Sequence, residues 1–129
     1  MLDITVVQQP GGRVRVALDG RLDTQTYAQC EQRLKPFLTP ATRVLVFDMT
    51  RLNYLSSMGL RVLMMVSKAL AAQGSKCLLT NLQPPIQTVI DIAHALPRET
   101  VFASVEEADQ YLDLMQRRTR ETGSASTGL

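Results

Sequence analysis

Two short stretches near the start of the chain alternate between apolar and other positions. A repeat of two residues is typical of a β-strand that is buried on one face only. Gly11 and Gly12 lie between the stretches and predict a tight turn, so we expect a hairpin that ends at Asp19–Gly20. The apolar positions are Leu2, Ile4 and Val6 in the first strand and Val14, Val16 and Leu18 in the second.

The apolar spacing lengthens to three or four residues after Thr24, which predicts a helix with one apolar face. Asp23 or Thr24 can cap the first turn of this helix, and Pro36 lies close to its predicted end. The predicted apolar face consists of Tyr27, Cys30, Leu34 and either Phe37 or Leu38.

The middle of the chain predicts a strand, a loop, a second helix and another strand. Arg43–Asp48 is a continuous apolar run with charged ends, as in a strand that is buried on both faces. Met49–Leu55 is predicted to be a loop, and the helix that follows it ends at Gly74. Lys76–Thr80 predicts a further buried strand. The apolar stripe predicted for the second helix is Leu60, Leu63, Met64, Ser67 and Ala71.

The last third of the chain predicts two helices on either side of a short edge strand at Val101–Phe102. Pro84–Pro85 opens the first of these helices, and Ser104–Glu107 matches a capping box at the start of the second. The predicted apolar positions are Ile86, Val89, Ile90 and Ala93 in the first helix and Val105, Ala108, Tyr111, Leu112 and Met115 in the second.

Strands and helices therefore alternate after the hairpin, which predicts an α/β fold. We expect a mixed, mostly parallel sheet of four to five strands with about four helices packed on it. Residues 1–117 form this single domain, and residues 118–129, which are small and polar, are expected to be a disordered tail. The loops at the carboxyl ends of the strands are the expected functional edge, namely Asp19–Thr26, Asp48–Gly59 and Thr80–Pro85.

Composition narrows the chemistry that this domain can perform. The 129 residues are 45% hydrophobic, enough for one core, but they include a single histidine, His94, and two cysteines, Cys30 and Cys77. This set cannot supply a four-ligand zinc site and offers no usable catalytic constellation, so we expect no metal, no cofactor and no enzymatic activity. Both cysteines are predicted to be buried thiols in a reducing compartment, and His94 a residue near a helix end.

Charge and hydropathy predict a cytoplasmic protein. The formal net charge of +2 offers no broad basic footprint for nucleic acid. Met1–Thr5 lacks the basic start and long apolar run of a secretory signal. The most apolar stretch, Leu60–Ala72, is too short and too polar to span a bilayer. We therefore expect no membrane association, and a monomer is the default expectation.

Ser56 and Ser57 stand where the second helix is predicted to begin. A serine at such a position commonly caps the free amide groups of the first helical turn. The same hydroxyl on an exposed helix start is reachable by a kinase, and a phosphate there would face free N–H groups and the positive end of the helix dipole. Physical chemistry by itself favours the cap over a phosphorylation site.

Two motifs give the sequence a family resemblance. Leu18–Thr26 contains Leu-Asp-Gly-Arg-Leu-Asp, and Val46–Leu60 contains Phe-Asp-Met-Thr-Arg-Leu-Asn-Tyr-Leu-Ser-Ser-Met-Gly. Together, and at this separation, the motifs resemble the STAS domain family, and within it the bacterial anti-sigma-factor antagonists. The resemblance covers residues 1–117 and agrees with the element order predicted above.

The resemblance implies a partner-switching protein. In that family the unphosphorylated antagonist binds a serine kinase of the GHKL ATPase type that also acts as an anti-sigma factor, and this binding frees a sigma factor or another client. The kinase uses ATP to phosphorylate a serine at the start of the second helix, and the phosphorylated antagonist is released. A metal-dependent phosphatase of the PP2C type then removes the phosphate.

The family's site residues transfer to this sequence by motif. Ser57 matches the phosphoserine, Gly59 the glycine two residues beyond it, and Asp23 an aspartate beside the site. Two positions depart from the family: Ser56 replaces the usual aspartate and is a rival phosphorylation site, and Met58 replaces the usual serine or threonine. The residues expected to contact a partner are Asp23, Thr26, Ser56, Ser57, Met58, Gly59 and Arg61.

Some roles stay open at this point. Asp23 either caps the first helix or contacts a partner, and Thr26 serves the helix start. Asp48 is expected to order a loop through hydrogen bonds. Arg51 and Arg61 either are solvated or meet a phosphate or an acidic surface of the kinase. The whole domain is alternatively a STAS scaffold that is never phosphorylated and serves a transporter or a signalling assembly.

Overall fold

A single five-stranded sheet organises the chain in the computed structural model, which describes residues 1–93, 101–104 and 106–114. The strands are β1 (Leu2–Gln9), β2 (Arg13–Leu22), β3 (Val44–Leu55), β4 (Lys76–Thr80) and β5 (Val101–Phe102). The helices are α1 (Tyr27–Leu34), which continues into a 3₁₀ turn at Lys35–Phe37, α2 (Ser57–Ala72), α3 (Pro84–Ala93) and α4 (106–114).

The sheet order is β1-β2-β3-β4-β5, so each strand lies beside its neighbour in the sequence. β1 and β2 form the antiparallel hairpin, and the other three pairs are parallel. Right-handed crossovers that all step in one direction place their helices on one face of the sheet. Accordingly, α1, α2 and α3 share one face, and α4 covers part of the other. The predicted mixed, mostly parallel sheet with four helices is confirmed.

β3 is buried on both faces, as its apolar run predicted. Leu45 and Phe47 pack into the core beneath α1, α2 and α3, and both are fully buried. Val44 and Val46 point to the opposite face, where Ala108 of α4 packs against them. These two clusters contain most of the buried apolar side chains among the described residues. Helices cover both faces of the parallel strands only where α4 packs against them.

The prediction that β3 ends at Asp48 and is followed by a loop is wrong. β3 continues to Leu55 and stays paired with β2, with Leu22 opposite Leu55 at its end. β2 is correspondingly longer than predicted and runs beyond Asp19–Gly20 to Leu22. The register between the two strands shifts twice in this segment, near Gly20. Because of these irregularities, the buried residues in the second half of β3 are three positions apart instead of two. A search for strands that alternate every second residue does not detect such a segment.

The helices confirm the predicted elements and correct some of their limits. α1 begins at Tyr27 rather than near Thr24, because the intervening residues form a turn. On α2, Leu60 and Leu63 are buried as predicted, whereas Ala71 is exposed. The remaining buried positions of α2 are Gly59, Val62, Val66 and Leu70. Ser104 accepts a hydrogen bond from the Glu107 N–H at 3.1 Å and so caps α4 as predicted.

Cys30 and Cys77 are buried free thiols, as predicted. Burial disfavours the thiolate and raises the pKa of each thiol to about 12, with the charge of Glu31 adding to the effect at Cys30. Both side chains therefore pack as small apolar groups. His94, Val105 and Met115, together with the proposed tail 118–129, lie outside the described residues.

Candidate functional site at the start of the second helix

Ser56 is the residue that caps α2. Its backbone is extended, with φ −89° and ψ 173°, and its Oγ accepts a hydrogen bond from the Gly59 N–H at 3.2 Å. Its carbonyl accepts the first intrahelical bond, from the Leu60 N–H at 2.9 Å. Ser56 therefore satisfies one of the amide groups that every helix start leaves without an intrahelical partner.

Ser57 is the first residue of α2, and its side chain is exposed. Its hydroxyl makes no hydrogen bond within the part of the chain that the structure describes. The N–H groups of Ser57 and Met58 precede the first capped amide and stay free at the helix start. The first turn of α2 contains no acidic residue that would oppose a negative charge there. The cap and the free hydroxyl thus belong to two different serines.

The helix start is held against the end of β2. The Ser56 N–H donates to the Leu22 carbonyl at 3.0 Å, which joins the two segments directly. Gly59 lies so close to the same carbonyl that an added Cβ would stand 2.5 Å from the Leu22 oxygen and 3.0 Å from the Leu55 side chain. Only glycine allows the first turn of α2 to approach this closely. This contact explains why the motif places glycine three residues after the cap.

Asp23 and Thr26 form a reciprocal hydrogen-bonded turn immediately after β2. The Asp23 N–H donates to Thr26 Oγ1 at 2.9 Å, and the Thr26 N–H donates to the Asp23 carboxylate at 3.1 Å. The Thr26 hydroxyl donates to the Arg21 carbonyl at 2.7 Å, and the Gln25 N–H donates to Asp23 at 2.9 Å. The reciprocal bonds resemble a capping box, but they close the turn before α1, because the N-cap residue Thr26 makes no side-chain cap hydrogen bond to the helix.

These bonds also control the charge on Asp23. The Gln25 N–H is the main cause that lowers the pKa of the Asp23 carboxyl, with further bonds from Thr26 and Arg21, while burial acts in the opposite direction. The carboxylate is therefore ionised at neutral pH. Because Leu22, which precedes it, is bonded to Ser56, this negative charge belongs to the same surface as the start of α2.

Two predicted contact residues lie beneath this surface instead of on it. Thr26 is 5% exposed and its hydroxyl is fully engaged, and Gly59 is buried. Both hold the neighbouring segments in place. Arg61, by contrast, is exposed, and Met58 is half-buried. The part of the predicted set that a partner can reach therefore consists of Asp23, Ser56, Ser57, Met58 and Arg61.

Sequence reasoning missed an exposed pair beside the site. The Arg21 guanidinium lies 4.1 Å above the centre of the Tyr54 ring and 3.4 Å from the Asp23 carboxylate. Tyr54 is 42% exposed, and it lies opposite Arg21 in the pairing of β2 with β3. The pair exists only because β3 continues past Asp48. A large aromatic ring that carries a stacked arginine is a typical anchor in protein interfaces.

Asp48 has the ordering role that the sequence predicted for it, but it acts within β3. Its carboxylate accepts hydrogen bonds from the Thr50 N–H at 3.1 Å and the Asn81 side chain at 3.2 Å, and it pairs with Arg15 at 3.2 Å. Burial, the largest influence, raises the pKa of the Asp48 carboxyl, but the hydrogen bond from the Thr50 hydroxyl and those from the Thr50 N–H, Asn81 and Arg15 together hold it below its ordinary value. Arg51 pairs with Asp19 at 3.7 Å on the exposed surface.

The described residues contain no group of three or more His, Cys, Asp or Glu side chains that could hold a metal ion. Likewise, none of the helices in residues 1–93, 101–104 and 106–114 has the length and apolar character needed to cross a membrane.

Comparison with known families identifies the family of this chain. The family model of the STAS domain matches residues 4–108, a range that contains most of β1, all of β2 to β5, the turn at Asp23–Thr26 and the start of α2. The chain belongs to the STAS domain family. Over 97 residues, this STAS domain is 32% identical to BtrV of Bordetella bronchiseptica, a protein named as an anti-sigma factor antagonist. The match covers 75% of this chain and 84% of BtrV.

Solved structures of two kinds share the fold of this STAS domain. The anti-sigma factor antagonist SpoIIAA in its unphosphorylated form aligns with a TM-score of 0.75 at 18% identity, covering 86% of this chain and 96% of SpoIIAA. The murine anion transporter Slc26a9 aligns with a TM-score of 0.69 at 21% identity, covering 83% of this chain but 18% of the transporter. At these identities the likeness establishes the fold alone.

Proposed function

We propose that this STAS domain is an anti-sigma-factor antagonist whose binding to a partner is switched by phosphorylation of Ser57. The unphosphorylated form binds a serine kinase of the GHKL ATPase type that also acts as an anti-sigma factor. Phosphorylation releases the antagonist, and a PP2C-type phosphatase resets it. The observation that carries the proposal is the exposed Ser57 hydroxyl, which is free of hydrogen bonds among the described residues while its neighbour caps the helix.

Ser56 caps the helix and Ser57 does not, and this difference favours Ser57 as the modified residue. The Ser56 hydroxyl is half-buried and bonded to the Gly59 N–H, so a kinase would have to break the cap to reach it. Ser57 can be modified with the cap in place. A phosphate on Ser57 would lie at the positive end of the α2 dipole, near the free N–H groups of Ser57 and Met58. The fold therefore tolerates the modification.

The phosphate changes the charge of the exposed surface around Ser57 and leaves the fold intact. It adds about −1.5 to −2 charges to a surface that already includes the ionised Asp23. An interface that accepts a neutral hydroxyl at this point would then contain a doubly charged phosphate. Like charges brought together at an interface weaken binding strongly. Release of the partner on phosphorylation follows from this change.

The relative that is 32% identical supports the same class, because BtrV is named as an anti-sigma factor antagonist. The second candidate, a scaffold module that is never phosphorylated, draws support from the fold that the chain shares with part of the transporter Slc26a9. The free Ser57 hydroxyl and the charge arrangement around it favour the switch.

Phosphopeptide mapping tests the proposal. The protein is incubated with ATP and the GHKL-type kinase that it captures, and tryptic peptides are analysed by mass spectrometry. We expect phosphate on Ser57, none in Ser57→Ala, and retained phosphate in the matched variant Ser56→Ala. Phosphate confined to Ser56 would refute the assignment to Ser57, and the absence of phosphate from both residues would refute the switch.

Calorimetry with the same kinase separates the switch from the scaffold. We expect Ser57→Ala to bind like the wild type, because the hydroxyl makes no hydrogen bond that orders the site. Ser57→Asp should weaken binding by at least about tenfold, since it places a charge in the interface. Equal affinities for the wild type and both variants would favour the scaffold.

A further inference from the structure

The two edge strands of the sheet differ in length and therefore in how much unpaired backbone they expose. β5, at one edge, is two residues long. β1, at the other edge, has eight residues and pairs with β2 from Leu2 to Gln9 without a bulge. Proteins usually blunt long edge strands with bulges, prolines or lysines, because an exposed edge offers unpaired backbone groups to another strand. β1 contains none of these devices, and Asp3 is its single charged residue.

The hydrogen-bond pattern identifies which groups of β1 face outward. The Arg21 N–H donates to the Met1 carbonyl at 3.0 Å, so these two residues form a hydrogen-bonded pair. Because bonded and non-bonded pairs alternate in antiparallel strands, residues 3, 5, 7 and 9 bond to β2. The N–H and C=O groups that point away from the sheet therefore belong to Leu2, Ile4, Val6 and Gln8. In agreement, the Leu2 carbonyl accepts a hydrogen bond from the Gln29 side chain at 2.9 Å.

We propose that β1 pairs with β1 of a second copy of this chain, antiparallel, about a two-fold axis at Val6. In this register Val6 lies opposite the partner's Val6, and Ile4 lies opposite the partner's Gln8. Each of these pairs can exchange two hydrogen bonds, so every outward group from Ile4 to Gln8 is used. The interface is isologous, since the same strand serves both copies.

The hydrogen-bond ladder between the two copies ends where Leu2 of one copy meets Pro10 of the other. Leu2 would lie opposite the partner's Pro10, which has no N–H to offer. The Leu2 carbonyl needs no such donor, because Gln29 already occupies it. Neither copy is therefore left with an unsatisfied Leu2 carbonyl at the ends of the shared ladder. This match at the strand ends supports self-pairing in this register.

The side chains are also compatible with this register. Asp3 lies opposite the partner's Gln9, whose amide can donate to a carboxylate, and no like charges face one another. Thr5 lies opposite the partner's Val7, which pairs two β-branched side chains on the open face of the sheet. Val7 is 47% exposed in the single chain, so pairing would cover it.

An open groove borders the first residues of β1. A groove of about 580 Å³ lies between β1 and α1, lined by Leu2, Ile4, Gln29 and Arg33 among others. Gln29 contacts one end of β1, so the two-fold axis places the two α1 helices at opposite ends of the seam. β1 begins beside the end of β2, so the two Ser57 sites also lie at opposite ends and stay accessible. Pairing therefore joins two five-stranded sheets without covering Ser57 at the start of α2.

Sedimentation equilibrium of the full chain tests the pairing. We expect a mass of twice 14.3 kDa at high protein concentration, with reversible dissociation on dilution. Val6→Pro removes an outward N–H from each copy and leaves the β1–β2 bonds intact. Because two hydrogen bonds across the axis are lost, the dimer dissociation constant should rise by about 30-fold.

A second variant guards against misfolding of the proline variant. Thr5→Arg combined with Val7→Arg introduces arginines that face each other across the seam on exposed positions and should also yield monomers. The matched control, Ile92→Arg combined with Leu114→Arg, adds the same charge at exposed positions of α3 and α4 and should dimerise like the wild type. A wild type that stays monomeric at millimolar concentration would overturn the proposal. So would a folded Val6→Pro variant, checked by circular dichroism, that dimerises as tightly as the wild type.

Discussion

In the Gly59→Ala variant, helix propensity and close packing at the start of α2 have opposite effects on the stability of the protein. Alanine is favoured over glycine within a helix by up to about 1 kcal/mol, so propensity alone predicts a more stable protein. The structure predicts the opposite. The added Cβ would stand 2.5 Å from the Leu22 carbonyl oxygen and 2.8 Å from Leu22 Cγ, and the first of these atoms belongs to the backbone of β2.

Relief of this overlap requires the start of α2 to move away from β2. That movement stretches the hydrogen bond from the Ser56 N–H to the Leu22 carbonyl, which is 3.0 Å long. Overpacking of this kind costs about 1–3 kcal/mol. When the gain in propensity is subtracted from the middle of this range, we expect the free energy of unfolding to fall by about 1 kcal/mol and Tm to fall by about 4 °C.

Urea and thermal unfolding followed by circular dichroism measure the change. Ala71→Gly is the matched control, because residue 71 is exposed on the same helix and reports the propensity difference alone. It should lose about 1 kcal/mol. If Gly59→Ala proved as stable as the wild type while Ala71→Gly lost the expected amount, the close approach of α2 to β2 would be refuted.

Three further predictions concern the cap, an acidic side chain and the thiols. Ser56→Ala should lose about 1 kcal/mol in urea unfolding, and Ser57→Ala less than about 0.5 kcal/mol, since only the first removes a cap; the reverse order would contradict the assignment of the cap. The lowered pKa of Asp48 stabilises the fold above the unfolded pKa of about 4, and this contribution is lost as pH falls through the folded value. The urea midpoint should therefore fall more steeply between about pH 5 and pH 2 in the wild type than in Asp48→Asn, and parallel curves would count against the network. Cys30 and Cys77, with pKa values of about 12, should resist thiol reagents at about pH 8 until urea unfolds the protein; rapid labelling of the native protein would contradict their burial.

Local patterns in the sequence were sufficient for the element order and much of the core. The run Arg43–Asp48 predicted a strand buried on both faces, because residues on alternate sides must all be apolar when helices cover both sides. The serine cap at Ser104 was predicted equally well, since its hydrogen bond joins residues that are close in the sequence.

Only the tertiary structure decided how the candidate site is assembled. The continuation of β3 to Leu55, the stacking of Arg21 on Tyr54 and the need for glycine at residue 59 all depend on the register between β2 and β3. That register shifts twice near Gly20, and a shift of this kind leaves no regular period along either strand. The sequence therefore determined that two serines stand at a helix start. Backbone geometry, through contacts between segments distant in the chain, decided that Ser56 caps the helix and that Ser57 is left free.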